Sequence, residues 1–369
     1  MNAGSSQRIR LTLCLAALAA IGVVAWTGLS MKPARAGIAR YKVLPPVAEG
    51  NLAIFPVVGA VSHDTTMFLT LDEGLRSGEV VVTEAGEGEA LIRRRPVPRP
   101  RPGGAEVSRL VLVNNSSRPL LLLAGEIITG GKQDRVVGKS RIVPAGGGPV
   151  DLSVFCVEPG RWVAKSDRFS IAGAPMAQPS VRGSALARKS QKDVWSEVRE
   201  SAAAVVGEPA DGRGAFEVGG ISTTSYATLM GTEEARKRLD SVVVPLQRSY
   251  EKVARELERH RAIGVVAAIN GEIVWADIFA SGSLLEKYWP KLVRSYAAEA
   301  LTRSPAGRNA ELREAESFLE DFAGTRQTVE IEPGVYRHTE AAGEGFHAFE
   351  LESLLPMNDF TVHISKMAD

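Results

Sequence analysis

The residues best placed to do chemistry lie in one stretch, Gly125–Trp162, which reads GEIITGGKQDRVVGKSRIVPAGGGPVDLSVFCVEPGRW. It holds the carboxylates Glu126, Asp134 and Glu158, the amide Gln133, the guanidinium groups of Arg135 and Arg161, the thiol of Cys156 and the indole of Trp162. Two carboxylates in one cleft can split their pKa values and divide acid and base roles. Glu126 with Asp134 or Glu158 are therefore the candidate catalytic residues. The pair Gly130-Gly131 permits a tight turn and close approach of a ligand. Turn amides can hold an anion, and Arg135 or Arg161 can clamp phosphate or carboxylate with a two-pronged fork. Trp162 offers a stacking face. The candidate ligand-binding set is thus Glu126, Gln133, Asp134, Arg135, Glu158, Arg161 and Trp162.

Each of these residues also has a structural reading. Glu126 follows an apolar run and is costly to bury unless paired, so a salt bridge to Arg135 or Arg141 accounts for it equally well. Asp134 can cap its own turn, Arg161 can pair with Glu158, and Trp162 can plug the edge of a β module. Cys156 needs a nearby histidine or other cation to act as a nucleophile. None lies in the stretch as a histidine, and a small buried hydrophobe is the favoured reading. There is no HExxH motif, cysteine pair or EF-hand spacing, so no metal site is expected. Walker, Rossmann, GxSxG and kinase motifs are absent, and no cofactor is assigned.

The elements that must position these groups change character along the chain. Residues 51–175 read as a mainly antiparallel β module. LAIFPVVG, MFLTL, EVVVTEAG, RIVPAG and DLSVFCVEPG have strand length, and TLDEGLRSG reads as a short helix. The runs on either side of Asn114-Asn115-Ser116-Ser117 read as a hairpin-like pair. The arginines and prolines of 93–104 exclude a central strand and suggest an exposed basic loop. Residues 176–369 read as a helix-rich α+β half. Helices are expected over 190–206, 233–261, 284–301 and 310–322, with Pro245 and Pro290 kinking or breaking theirs. Asn270-Gly271 supplies a type I′ hairpin turn. Strand-like segments close the chain, separated by a loop at 340–345. The fold class is α+β, with a C-terminal antiparallel sheet and the two halves packed as one unit. No internal repeat is present.

The first 36 residues read as an export signal. Arg8 and Arg10 precede the apolar run Leu11–Leu29, and Ala34-Arg35-Ala36 is a cleavage motif. The run could instead remain as an inner-membrane anchor. Residues 37–50 read as a linker. Loss of Arg8, Arg10, Lys32 and Arg35 from 44 basic residues leaves 40 against 43 acidic, a net charge of −3. That balance argues against nucleic acid as a partner. It also leaves Cys156 without an intrachain disulfide partner. Membrane contact is expected only through an uncleaved signal or the 93–102 loop. The oligomeric state is open.

GEIITGGKQDRVVGKSRIVPAG followed by VFCVEPGRW resembles the ARG-and-rhodanese-phosphatase-superfamily-associated protein domain, over about residue 51 to the C-terminus. The name implies association with ADP-ribosylglycohydrolase and phosphatase-like proteins, hence a role near ADP-ribose or other nucleotides. The signature positions implied are Glu126, Gln133, Asp134, Arg135, Cys156, Glu158, Arg161 and Trp162. The export signal departs from that implication, because nucleotide pools are mainly cytoplasmic. Three readings follow: a module binding an anionic or nucleotide-like ligand, a structural or interaction protein of the cell envelope, and a hydrolase with paired carboxylates.

Overall fold

Alternation along one strand organises the molecule. In the segment AIGVVAAI, Val265, Ala267 and Ile269 join one hydrophobic core while Val266 and Ala268 join another. Period-two patterning of this kind marks a strand buried on both faces. The computed structural model describes residues 41–85, 109–161, 163–171, 176–209, 215–218, 220–257 and 262–369. The expected export signal, the whole of the basic 93–104 loop and Trp162 lie outside the described residues.

In chain order, β1 (Tyr41–Val43), β2 (Val47–Glu49) and β3 (Leu52–Gly59) are followed by β4 (Leu69–Thr70) and helix α1 (Leu71–Ser77). The helix has both of its ends specified. Thr70 and Glu73 form a capping box, and Gly78 takes a left-handed conformation at φ 74°. Next come β5 (Val80–Glu84), β6 (Arg109–Asn114), β7 (Leu120–Leu122), β8 (Ile127–Ile128), β9 (Arg135–Val137), β10 (Arg141–Val143) and β11 (Val150–Cys156). Helix α2 (Pro179–Gly183) runs into a π-helical turn, Ser184–Arg188, and α3 (Gln191–Val206) starts at its Ser190 cap. A small hairpin, β12 (Phe216–Val218) with β13 (Ile221–Thr223), precedes α4 (Tyr226–Met230) and α5 (Glu233–Leu257). The rest is β14 (Ala262–Ile269), β15 (Glu272–Phe279), α6 (Gly282–Leu301), α7 (Leu312–Phe318), β16 (Arg326–Glu332), β17 (Tyr336–Gly343), β18 (Phe346–Leu355) and β19 (Asn358–Ala368).

The expected α+β class is the observed one. A nine-stranded antiparallel sheet runs β1-β3-β14-β15-β19-β18-β17-β16, with β2 also on β3. One face carries α5 and α6, and α7 packs on the other. A second sheet, β5-β6-β11-β9-β8, and a three-stranded sheet, β10-β7-β4, form the smaller β module around their own core of Val82, Leu110, Leu112, Ile128 and Val154. The division expected at residue 175 does not follow the sheets, because β1–β3 pair with the C-terminal strands through β14.

Three local expectations are corrected. The runs flanking Asn114–Ser117 are both strands, but they do not pair: β6 lies between β5 and β11, and β7 between β10 and β4. Asn114 donates to the carbonyls of Arg118, Val143 and Pro144, and this side chain turns the chain into the other sheet. Pro245 and Pro290 lie inside continuous helices α5 and α6. The carbonyls they deprive of a donor belong to Ser241 and Glu286, both exposed, so water can satisfy them. Residues 340–343 continue β17 in place of the loop expected there. By contrast, Asn270-Gly271 turns β14 into β15 with φ of 54° and 78° at the two positions, the geometry of a type I′ hairpin.

Candidate functional site

The Gly130–Asp134 loop joins β8 to β9 beside the end of β11, where Cys156 is opposite Arg135. Its glycines are required by space as well as by backbone angle. A Cβ on Gly131, at φ 49°, would lie 2.4 Å from the Phe169 ring and 2.6 Å from a Glu84 oxygen. Asp134 closes the loop by accepting from the Gly130 amide at 3.0 Å. Its other oxygen accepts from the Ser225 hydroxyl at 2.5 Å.

Arg161 is the hub of this loop. Its Nε and Nη2 fork onto Glu158 at 2.7 and 2.6 Å. Nη1 donates to the carbonyls of Gly131 and Val163, and Nη2 also reaches the Gly130 carbonyl. All five guanidinium N–H donors are therefore committed inside the protein. Asp134 sits 3.5 Å from the same guanidinium. Glu158 also accepts from the Asp134 amide, and Gln133 links the Glu158 carbonyl to the Cys156 thiol. Arg135 is 2% exposed and turns toward Glu84, 3.7 Å away.

Gln133, Asp134, Arg135, Cys156, Glu158 and the partly exposed Arg161 thus form one continuous network. Glu126 does not belong to it. It accepts from the Leu123 amide at 2.7 Å and from Lys291 at 2.5 Å, and Lys291 also meets Asp72 at 3.1 Å. Its partner is therefore a lysine on α6 and neither of the arginines considered from sequence. Burial raises the Glu126 carboxyl above its ordinary range, with Lys291 opposing. Burial pushes the Cys156 thiol up to about 11, against the pull of Arg135. This thiol is a buried protonated group at neutral pH.

Of the candidate acids, Glu158 and Asp134 both have their two oxygens hydrogen-bonded inside the protein, but Asp134 also lines a cleft. The cleft has a volume of about 420 Å³. Asp134 is 1% exposed and contributes the carboxylate of the lining. Thr129, Ser166, Ser170 and Thr228 add hydroxyls, and exposed Lys165 adds the cation. Burial is the main cause of a raised Asp134 carboxyl; the Ser225 bond opposes it and the Glu158 charge reinforces it. Residues 165–170 and 225–228 escape sequence reasoning because a lysine or serine in a loop carries no periodic signal. They are brought to Asp134 by Thr129–Ser170 pairing and by the Tyr226 amide bonding to the Val157 carbonyl.

A second buried charge cluster also lies outside the sequence expectations. Arg182 forks onto Asp277 at 2.9 and 2.8 Å and lies 4.2 Å over the Trp275 ring. Tyr296 donates to Asp277 at 2.5 Å, and His363 meets it at 3.0 Å. Asp277 is fully buried, yet Arg182 and His363 hold its carboxyl well below the ordinary range despite that burial. None of these residues lines the cleft beside Asp134. It ties α2 to β15, β19 and α6. The available signal was an aspartate inside the apolar run VWADIFA, the same anomaly that singles out Glu126. Among the described residues no group of histidine, cysteine and carboxylates is arranged to hold a metal ion.

These features define an α+β protein built on one large antiparallel sheet, with a smaller β module carrying a largely buried ion network and a polar cleft at its edge. The chain belongs to the ARG and Rhodanese-Phosphatase-superfamily-associated Protein domain family, ARPP-1, whose model matches residues 40–367. No curated protein and no solved structure matches the chain.

Proposed function

We propose that this protein binds a small polar ligand carrying an anionic group, of the sugar-phosphate or nucleotide and ADP-ribose-like kind, in the cleft beside Asp134. The observation that supports the reading is the make-up of that cleft: a buried carboxylate, four hydroxyl side chains and one exposed lysine around about 420 Å³. Carboxylates and hydroxyls suit a diol, Lys165 suits the anion, and the volume falls in the range of small-molecule sites. The signature residues then act at one remove. Arg161, Glu158 and Gln133 hold the Gly130–Asp134 loop, and Asp134, bonded to the Gly130 amide and the Ser225 hydroxyl, forms part of the cleft wall with its remaining lone pairs toward the ligand. The full commitment of Arg161 and Glu158 counts against the carboxylate-pair hydrolase, as does the separate location of Glu126.

Export of the mature chain to the periplasm or beyond is part of the proposal, on the strength of Arg8, Arg10, Leu11–Leu29 and Ala34-Arg35-Ala36. No helix among the described residues is long and apolar enough to cross a membrane. Thermal-shift screening with ADP-ribose, nucleotides and anionic sugars tests the ligand class. A stabilising shift that is lost in Lys165→Ala supports the reading, and no shift from any member of the panel defeats it.

A further inference from the structure

A second cleft, of about 400 Å³, opens at the other end of β9, where the small β module meets the β16–β17 hairpin. Apart from Asp151 on β11, its charges are segregated. The module side carries Lys139 and Arg141, with Lys189 just after the π-helical turn. The hairpin side carries Glu330 and Glu340, with Tyr336. Each cation faces a carboxylate across the gap: Lys139 meets Glu330, Lys189 meets Glu340 at 2.7 Å, and Arg141 meets Glu332 at 3.0 Å. With Asp151 included, the lining carries as many acidic as basic groups.

The ion pairs across the gap differ in how firmly they are held. Arg141 is fixed by the Asp151 carbonyl at 2.9 Å and lies over the Tyr336 ring, while its Nε is buried and makes no hydrogen bond. Tyr336 fixes Glu330 by donating to it at 2.8 Å. The lysine pairs are more open: the side chains of Lys139 and Lys189 are 27% and 55% exposed. Ion pairs of that exposure contribute little and are readily replaced by equivalent partners. Phe155 and Leu152 supply apolar surface between the walls.

We infer that this cleft is a binding site for a small zwitterion with an apolar side chain, a free amino acid or a short peptide with both ends free. Charge balance decides the class. A simple anion taking Lys139 and Lys189 would strand Glu330 and Glu340, and a simple cation would strand the lysines; both outcomes leave partly buried charge unpaired. A zwitterion inserted across one of these lysine pairs gives the displaced cation a carboxylate and the displaced carboxylate an ammonium. The site is distinct from the cleft beside Asp134, and either can fail without the other.

The test is NMR saturation transfer and titration on the full chain with leucine and alanyl-leucine, against N-acetylleucine and leucine amide. Binding by a zwitterion, weakened about tenfold or more when either end is blocked, is the expected result. Exchanging the charges in Lys139→Glu/Glu330→Lys keeps the ion pair, so melting should stay close to wild type while binding weakens. Lys189→Ala, at an exposed position, gives the same reading if the exchange fails to fold. The inference is overturned if neither zwitterion binds below about 10 mM, if the blocked forms bind equally well, or if Lys189→Ala binds as wild type.

Discussion

Arg161 offers the sharpest quantitative prediction. Arg161→Met removes every donor of the guanidinium. Glu158, 3% exposed, is left with the Asp134 amide as its one remaining partner in the network, the Val163 carbonyl loses the arginine donor, and the Gly131 carbonyl keeps only the Lys165 amide. Breaking a buried ion pair from one side costs about 3–5 kcal/mol, because the surviving charge stays desolvated. The Arg161 side chain itself is 17% exposed, so water can reach the vacated space, and the lower end, about 3 kcal/mol, is expected. That is a large fraction of the roughly 5–15 kcal/mol that holds a domain together. Arg161→Lys keeps the charge but cannot reproduce the fork or serve three carbonyls, and should lose about 1–3 kcal/mol. Equilibrium urea denaturation of wild type and both variants measures this. Adding Glu158→Gln to Arg161→Met should cost little more, since the carboxylate is already stranded. A loss under about 1 kcal/mol for Arg161→Met, or a lysine variant indistinguishable from wild type, would class Arg161 as an ordinary surface ion pair and refute the hub.

Other predictions follow from single positions. Gly125→Ala should destabilise by about 2 kcal/mol or more: φ is +94° and the new Cβ would lie 2.8 Å from Arg182. Gly146→Ala, at φ +58° with nothing within 4 Å, should cost only about 1–2 kcal/mol, and paired denaturation curves compare them. His338 is held down to about 3 by burial, with Lys139 and Lys189 adding to it against Glu330. Above the ordinary histidine value both states are neutral. As pH falls below about 6.5 the unfolded chain gains a proton that the fold refuses, so stability should drop toward pH 3 by up to about 1.4 kcal/mol per unit. His338→Gln should flatten that slope, and an equal slope in the variant would contradict the assignment. Cys156 should resist alkylation at pH 8 in the native protein and react on unfolding, as read by peptide mass spectrometry; rapid native labelling would show a reactive thiol.

The parts legible in the sequence were those whose signals are local. Thr70, Glu73 and Gly78 carry their own helix ends, and Asn270-Gly271 sets its own turn. The Gln133–Arg161 cluster was found because polar groups and glycines interrupt strand-like runs, an oddity visible without any fold. Partner choice was not legible. Nothing near residues 109–122 says that β6 seeks β11 and β7 seeks β10; that follows from Asn114 reaching the carbonyls of residues 143 and 144. Proline ends neither helix at 245 or 290, and the residues whose carbonyls lose a donor there, Ser241 and Glu286, are exposed, a fact of tertiary placement. Residue type also hides commitment: Arg161 has the chemistry of an anion clamp, but its five donors are used internally. Arg182 and Asp277 are 95 positions apart, and only the fold makes them a pair.

The central claim is that the signature network shapes a ligand site at Asp134. Calorimetric titration of ribose 5-phosphate and ADP-ribose into wild type, Lys165→Ala and Thr228→Val tests it most directly. Binding by at least one of them with Kd below about 1 mM, weakened about tenfold or more in Lys165→Ala, is the predicted result. No heat of binding from either ligand, or affinity unchanged in both cleft variants, would contradict it.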